Sequence, residues 1–235
     1  MFELQRQIYC SQLGEGGVIR NSALIDILQD TSDLHLASHP VLAPFFEETG
    51  CVMFLTSRQV DIIRRPAYKE IITAKTRTYE LNRMYGFRNT ILLDENGEII
   101  VKSIAGGAFM DLKTGRPIRV DKELIDRIKV YDKIDMEYLP RKISLPESEP
   151  VKCSQVSIRH SDIDMFGHVN NARYFDLTDE LVDEHSSARR LRVEYKLPVK
   201  YGDSVSAEVY SRENIRTAVL NDDSGKRCCT VEYTF

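Results

Sequence analysis

Two aspartates two residues apart, a Gly-His step and an Asn pair fall within one short stretch, Ser161-Asp162-Ile163-Asp164-Met165-Phe166-Gly167-His168-Val169-Asn170-Asn171. Directly behind it, Tyr174, Leu177, Thr178, Leu181 and Val182 recur at the i, i+3, i+4, i+7, i+8 spacing of one helical face. His168 and Asn170 or Asn171 therefore fall at a helix cap or in its first turn. A helix start carries free backbone N–H groups and a partial positive charge. Such an end suits a carbonyl oxygen that turns negative during acyl transfer, and a carboxylate beside it can act as base or nucleophile. Asp164 is the candidate carboxylate. Each group also has a structural reading: an Asp or Asn before a helix is commonly a cap, and Tyr174 lies on the apolar helical face.

The elements that must position this stretch form an order that occurs twice. Phe2 to Tyr9 reads as a strand and Gly14-Glu-Gly-Gly17 as a turn; Asn21 then leads into a helix of about five turns through Ala23, Leu24, Ile27, Leu28, Thr31 and Leu34. Pro40 and Pro44 punctuate its end. Four strand-like runs follow, Cys51 to Ile63, Lys69 to Leu81, Tyr85 to Leu93 and Glu98 to Met110, the last two joined by the hairpin signal Asp94-Glu-Asn-Gly97. The second half repeats this order. Gly17, Asn21 and Asp26 fall on Gly167, Asn171 and Asp176 without a gap; Val60, Tyr68 and Ala74 fall on Val193, Tyr201 and Ala207; and the hairpin reappears at Asp222-Asp-Ser-Gly225. Between the copies, roughly Asp111 to Pro150, a charged stretch with four prolines reads as a linker holding a short helix near Asp121 to Ile128. Opposite Asp164 the first copy has Gly14, and opposite His168 it has Val18, so the polar constellation exists once. One copy is expected to be active and the other to be scaffold.

Composition narrows the class. The 235 residues, 42% hydrophobic and 29% charged, are ordinary globular usage. The first residues carry a charge by position three and no apolar core, so neither a signal peptide nor a membrane span is expected, and the cytoplasm is the expected compartment. Five cysteines without a C-x-x-C pair argue against a disulfide framework or structural zinc. The net charge of -4 and the lack of a long basic run give no reason to expect nucleic acid, and no GxGxxG, Walker or HExxH pattern occurs.

The block D-x-D-x-x-G-H-V-N-N-A-x-Y resembles the signature of hotdog-fold thioesterases, and Asp164 to Asn171 looks most like the acyl-acyl carrier protein (acyl-ACP) thioesterases. The resemblance runs over nearly the whole chain. It implies an α+β fold, a tandem double hotdog in which each long helix is wrapped by a curved antiparallel sheet. Residues 1–112 would form the scaffold and acyl-pocket copy, 113–150 the linker and 151–235 the catalytic copy. Two departures stand out. Plant-type members carry an Asn at the Phe166 position and a Glu-Cys pair where this chain has Pro198 and Val199, so a Cys-His-Asn triad is not available. Smaller hotdog thioesterases of the hydroxybenzoyl-CoA type share D-x-D-x-x-G with the second Asp catalytic, which favours Asp164.

The implied reaction is hydrolysis of fatty acyl-ACP to fatty acid and ACP in fatty acid biosynthesis. Asp164 would activate water or attack directly, and His168 would orient the water or carboxylate and give a proton to the thiolate. Gly167, Asn170 and Asn171 would hold the carbonyl oxygen through backbone N–H groups. No cofactor or metal is expected, because a thioester is already activated. The acidic carrier would dock on Arg189, Arg190, Arg192, Lys196 and Lys200, the last three sharing one face of a regular strand. Two alternatives stay open: an acyl-CoA thioesterase of the same fold, and a hotdog that binds acyl thioesters without cleaving them. A homodimer of the tandem is a compatible assembly.

Overall fold

The computed structural model describes all 235 residues. In chain order it holds β1 (Phe2–Gln7), α1 (Asn21–Ala37), α2 (Leu42–Thr49), β2 (Cys51–Ile62), β3 (Ile71–Leu81), β4 (Tyr85–Leu93) and β5 (Ile99–Asp111). After α3 (Lys122–Asp126) come β6 (Lys152–Val156), α4 (Arg173–Asp179), β7 (Arg190–Tyr195), β8 (Val205–Arg212), β9 (Ile215–Asp222) and β10 (Arg227–Thr234). All ten strands join one antiparallel sheet in the order β1-β3-β4-β5-β2-β7-β10-β9-β8-β6. The order of the second half reflects that of the first across the β2–β7 seam, where Val60 pairs with Leu191 and Asp61 with Arg190. The repeat reaches down to a backbone irregularity. The β4–β5 hairpin slips register between Leu92–Val101 and Leu93–Ile99, and the β9–β10 hairpin slips at the corresponding place, between Leu220–Cys229 and Asn221–Arg227.

Alternation sets the inner face. Along β3, Ile72, Ala74, Thr76 and Thr78 are buried while their neighbours are half-exposed, as a strand with one covered face requires. The helices cover that face, and one cluster of 33 buried apolar residues runs through both copies, from Ile8 and Leu24 to Phe175 and Val231. Pairing β2 with β7 satisfies what would be two open sheet edges. The segment between the copies crosses the outer face of the seam: Gln59 Nε2 donates to Glu137 O at 2.8 Å, Tyr138 OH to Asn89 Oδ1 at 3.0 Å and Ile143 N–H to Glu194 Oε2 at 3.2 Å.

Two helix expectations change. Pro44 does not end the first helical region but lies in the first turn of α2, where its missing N–H has no partner to lose. The second copy's helix stops at Asp179, well short of the periodic span through Val182. There the Leu181 N–H reaches back three residues to Thr178 O at 3.0 Å, and Glu184 takes a left-handed φ of 58° that turns the chain away. Leu181 and Val182 keep their apolar side chains against the core without helical backbone.

Candidate active site

The loop before α4 is built by its own side chains. Asp162, the first aspartate of the pair, is 2% exposed and accepts from the Arg159 N–H at 2.8 Å, as Gln12 does from the Tyr9 N–H at 2.9 Å in the first copy. The backbone then repeats: Asp164 N–H to His168 O at 2.8 Å and Gly167 N–H to Asp164 O at 3.0 Å match Gly14 N–H to Val18 O at 2.8 Å and Gly17 N–H to Gly14 O at 3.1 Å. Gly167 and Gly17 have φ of 78° and 74°, a conformation that favours glycine. One loop geometry therefore occurs twice, and only the second carries a carboxylate and an imidazole at the positions where the first has Gly14 and Val18.

Asp164 is held by one oxygen. Its Oδ1 accepts from the Phe166 N–H at 2.8 Å and the His168 N–H at 3.3 Å, and its Oδ2 has no partner within the chain. The backbone N–H groups from Gly167 to Asn170 are all engaged internally, with Val169 donating to Val199 O at 2.7 Å and Asn170 to Asp162 O at 2.8 Å. Asn170 Oδ1 caps the Ala172 N–H at 2.8 Å. Of the five residues expected at the site, Asp164, His168 and Asn171 border one cavity of about 420 Å³, while Gly167 and Asn170 shape the turn behind them. The His168 ring and the Asn171 amide make no hydrogen bond to the chain. Tyr195 OH donates to Asn171 O at 2.9 Å and its ring meets that of Tyr174 at 5.5 Å; burial pushes both phenols up, so they stay neutral donors.

Tyr174, Tyr195 and Lys196 to Pro198 also border the cavity, and the first copy supplies Gln29, Ser32 and Asp33 from α1, Phe54 and Arg58 from β2, and Ala105 and Gly107 from β5. A Cβ at Gly107 would come within 2.8 Å of Met53 Cγ, so glycine is what lets the strand pass there. Phe166, at the position where plant-type members carry an Asn, turns its ring edge-on to Phe54 at 5.6 Å and ties the loop before α4 to the first copy. Pro198 borders the cavity, whereas Val199 is a buried residue whose carbonyl holds Val169.

The same register sets the inner strands of the two copies apart. Arg88 pairs with Ala105 as Arg216 pairs with Tyr233, so Tyr233 and Phe235 stand where the first copy has Ala105 and Gly107. Tyr233 is fully buried, and its OH donates to Asp179 Oδ1 at 2.7 Å; Asn21 Nδ2 donates to the same oxygen at 3.0 Å. Burial raises the Asp179 carboxyl to about 6.

The basic surface is smaller than expected. β7 ends at Tyr195, so Lys196 and Lys200 lie in the following loop and share no strand face with Arg192. Arg190 is paired with Asp61 and Glu137, and Arg192 with Glu232 at 2.6 Å. Lys196 and Lys200 remain at the cavity's border, Lys196 Nζ lying 3.7 Å from Glu194 Oε1. No cysteine borders the cavity; burial pushes the Cys228 and Cys229 thiols up, and that of Cys51 to about 11. Gln29, Ser32, Asp33, Arg58 and Arg88 were not singled out as site residues from the sequence. Their signal was the unbroken polar run Gln29 to Asp33 in the middle of α1 and an arginine at an inward position of each of two strands.

Fold and cavity together define a tandem hotdog with one acyl-sized pocket at the junction of its copies, the class of the double hotdog thioesterases. The model of the acyl-ACP thioesterase N-terminal domain matches residues 2–128 and that of the C-terminal domain residues 146–235. The chain belongs to the acyl-ACP thioesterase family, whose members are thioester hydrolases. Among solved structures it is similar to an acyl-ACP thioesterase from Bacteroides thetaiotaomicron, with 21% identity and a TM-score of 0.86 over 99% of this chain and 96% of that one. It is also similar to the 12:0-ACP thioesterase from Umbellularia californica, with 15% identity and a TM-score of 0.84 over 99% and 92%. No curated protein sequence matches the chain.

Proposed function

We propose that the chain is a cytoplasmic hydrolase that releases a free acid from acyl-ACP in fatty acid biosynthesis, with Asp164 as its indispensable group. The observation that carries this assignment is the divided carboxylate: Oδ1 is fixed by two backbone N–H groups while Oδ2 is free in a residue that borders the cavity. Oδ2 takes a proton from a water molecule as that water attacks the thioester carbon; the C–S bond then breaks, and the proton held by Asp164 passes through His168 to the departing phosphopantetheine thiolate, which restores both groups. The N–H groups from Gly167 to Asn170 are occupied, so the developing oxyanion is assigned to the free Asn171 amide, supported by the His168 ring. Tyr195 fixes Asn171 through its carbonyl. The carrier's acidic surface would meet Lys196 and Lys200 at the cavity's border. A hydrolysis panel of acyl-ACPs and acyl-CoAs of graded length tests the assignment. Turnover of acyl-ACP well above acyl-CoA supports it, equal turnover favours an acyl-CoA enzyme, and binding without turnover favours a non-catalytic hotdog.

A further inference from the structure

One part of the cavity carries charge that thioester hydrolysis does not use. Arg58 on β2 and Arg88 on β4 stand opposite the same residue, Ala105 of β5, one on each side of it. Neighbouring strands lie about 4.8 Å apart, so the two arginine backbones are about 10 Å apart with only a methyl group between them. Both share the inward face with Val60 and Leu92, and they are 3% and 7% exposed. Arg88 Nη1 donates to Ser32 O at 2.9 Å. Arg58 reaches Ser103 Oγ only at 3.5 Å, and its Nε is buried with no partner. Across from them α1 presents Gln29, whose buried Oε1 is also unpartnered, and Asp33, the carboxylate facing the pair. No ion pair within 4.0 Å joins Asp33 to either guanidinium. Two guanidiniums against one carboxylate leave a positive charge uncompensated, and a buried charge without a partner is costly.

The second copy shows that the scaffold does not require this arrangement. Leu191 occupies the Arg58 position, pairing with Tyr233 as Arg58 pairs with Ala105. A purely aliphatic chain laid in the cavity would strip water from Arg58 and Arg88 and give nothing back. We propose that the pocket takes an acyl chain bearing an oxygen function remote from the thioester, that Arg58 and Arg88 donate to that oxygen, and that a carboxylate satisfies them best. The proposal rests on the thioesterase reading only for where the reacting end of the chain sits.

The test compares three acyl-ACPs of matched chain length, unsubstituted, ω-hydroxylated and ω-carboxylated, over a graded series. An oxygenated chain is expected to be preferred by at least about tenfold in kcat/KM at its best length, the scale of one charge-assisted hydrogen bond. Arg58→Met should bring that ratio close to one. Thermal unfolding of the wild-type protein with free dicarboxylic and monocarboxylic acids gives a readout that needs neither a variant nor turnover, and the dicarboxylic acids should stabilise more. Unsubstituted chains hydrolysed best, with no excess stabilisation by dicarboxylic acids, would overturn the proposal and leave the thioesterase standing. Excess stabilisation without hydrolysis of any thioester would overturn the thioesterase reading and uphold the pocket. If Arg58→Met does not fold, Ala105→Tyr, which installs the second copy's residue between the arginines, should remove the preference in its place; a retained preference overturns the proposal.

Discussion

Replacing Asp164 separates chemistry from architecture only if the right residue is chosen. The carboxylate both borders the cavity and closes its own turn, accepting from Phe166 N–H at 2.8 Å and His168 N–H at 3.3 Å. Alanine removes both functions; two partly exposed hydrogen bonds at about 0.5–1 kcal/mol each amount to roughly 1–2 kcal/mol. For a domain of this size that lowers Tm by a few degrees, on the order of 2–4 °C per kcal/mol. Asparagine keeps an Oδ1 acceptor for both N–H groups and removes the charge, so its Tm should stay close to wild type. Its turnover of acyl-ACP should fall at least about 100-fold, the usual loss for a general base, or roughly 2.7 kcal/mol of transition-state stabilisation. The assay is steady-state release of free thiol from acyl-ACP, paired with thermal unfolding of the same preparations. Asp164→Asn retaining kcat/KM within about threefold of wild type would refute the assignment, since no general base contributes so little.

His168→Ala should slow acyl-ACP turnover less than Asp164→Asn does, as measured by kcat/KM; a larger loss would exchange their ranks. Thiol-blocking reagents should leave hydrolysis largely intact, because Val199 is a buried structural residue and the exposed thiols, Cys10 and Cys153, do not border the cavity; an inactive but folded cysteine-free variant would overturn the water mechanism. Lys196→Glu with Lys200→Glu should raise KM for acyl-ACP, more at low ionic strength, and leave a carrier-free acyl thioester unaffected; equal losses on both substrates would remove carrier docking from this edge. Asp179, raised from 3.8 to about 6 chiefly by burial, binds its proton more tightly in the folded chain than in the unfolded one. The native state therefore holds more protons between those values, stability contributed by this group declines as pH rises from about 4 to about 6, and Asp179→Asn should flatten that part of the stability–pH curve measured by denaturant unfolding.

The repeat was readable in the sequence because it is carried by short ungapped matches at turns and strand starts, and Asp164 and His168 were readable because Gly14 and Val18 stand opposite them. The length of α4 was not. Leu181 and Val182 keep helical spacing while satisfying core burial from a non-helical turn, and spacing alone cannot separate the two. The engagement of the expected oxyanion donors was not legible for a related reason. A loop before a helix suggests free N–H groups, but hydrogen bonds to Asp162, Asp164 and Val199 consume those from Gly167 to Asn170, and such pairings appear only once the chain is folded. Arg192 likewise looked available until Glu232 and Pro140 were found beside it.

The two copies have diverged in opposite directions, which accounts for their fusion. The first gave up bulk on its inner strand, keeping Ala105 and Gly107, and has no titratable group at Gly14 and Val18. The second holds Asp164 and His168 but carries Tyr233 and Phe235 at those two strand positions, with Tyr233 bonded to Asp179 and Asp179 to Asn21. Neither unit alone contains both Asp164 and the α1, β2, β4 and β5 residues that border its cavity. A symmetric dimer of either would lack one set twice: two first copies would lack Asp164 and His168, and two second copies would lack Arg58, Ala105 and Gly107. A covalent link holds one of each in every molecule, and the segment that runs from β5 to β6 adds to it by bonding Gln59 of the first copy and Glu194 of the second across the seam. Arg173 completes the junction on the helical side, pairing with Asp26 of α1 and, at 2.6 Å, with Asp176 of α4, so the loop carrying Asp164 is anchored to the copy that lines the other side of its cavity.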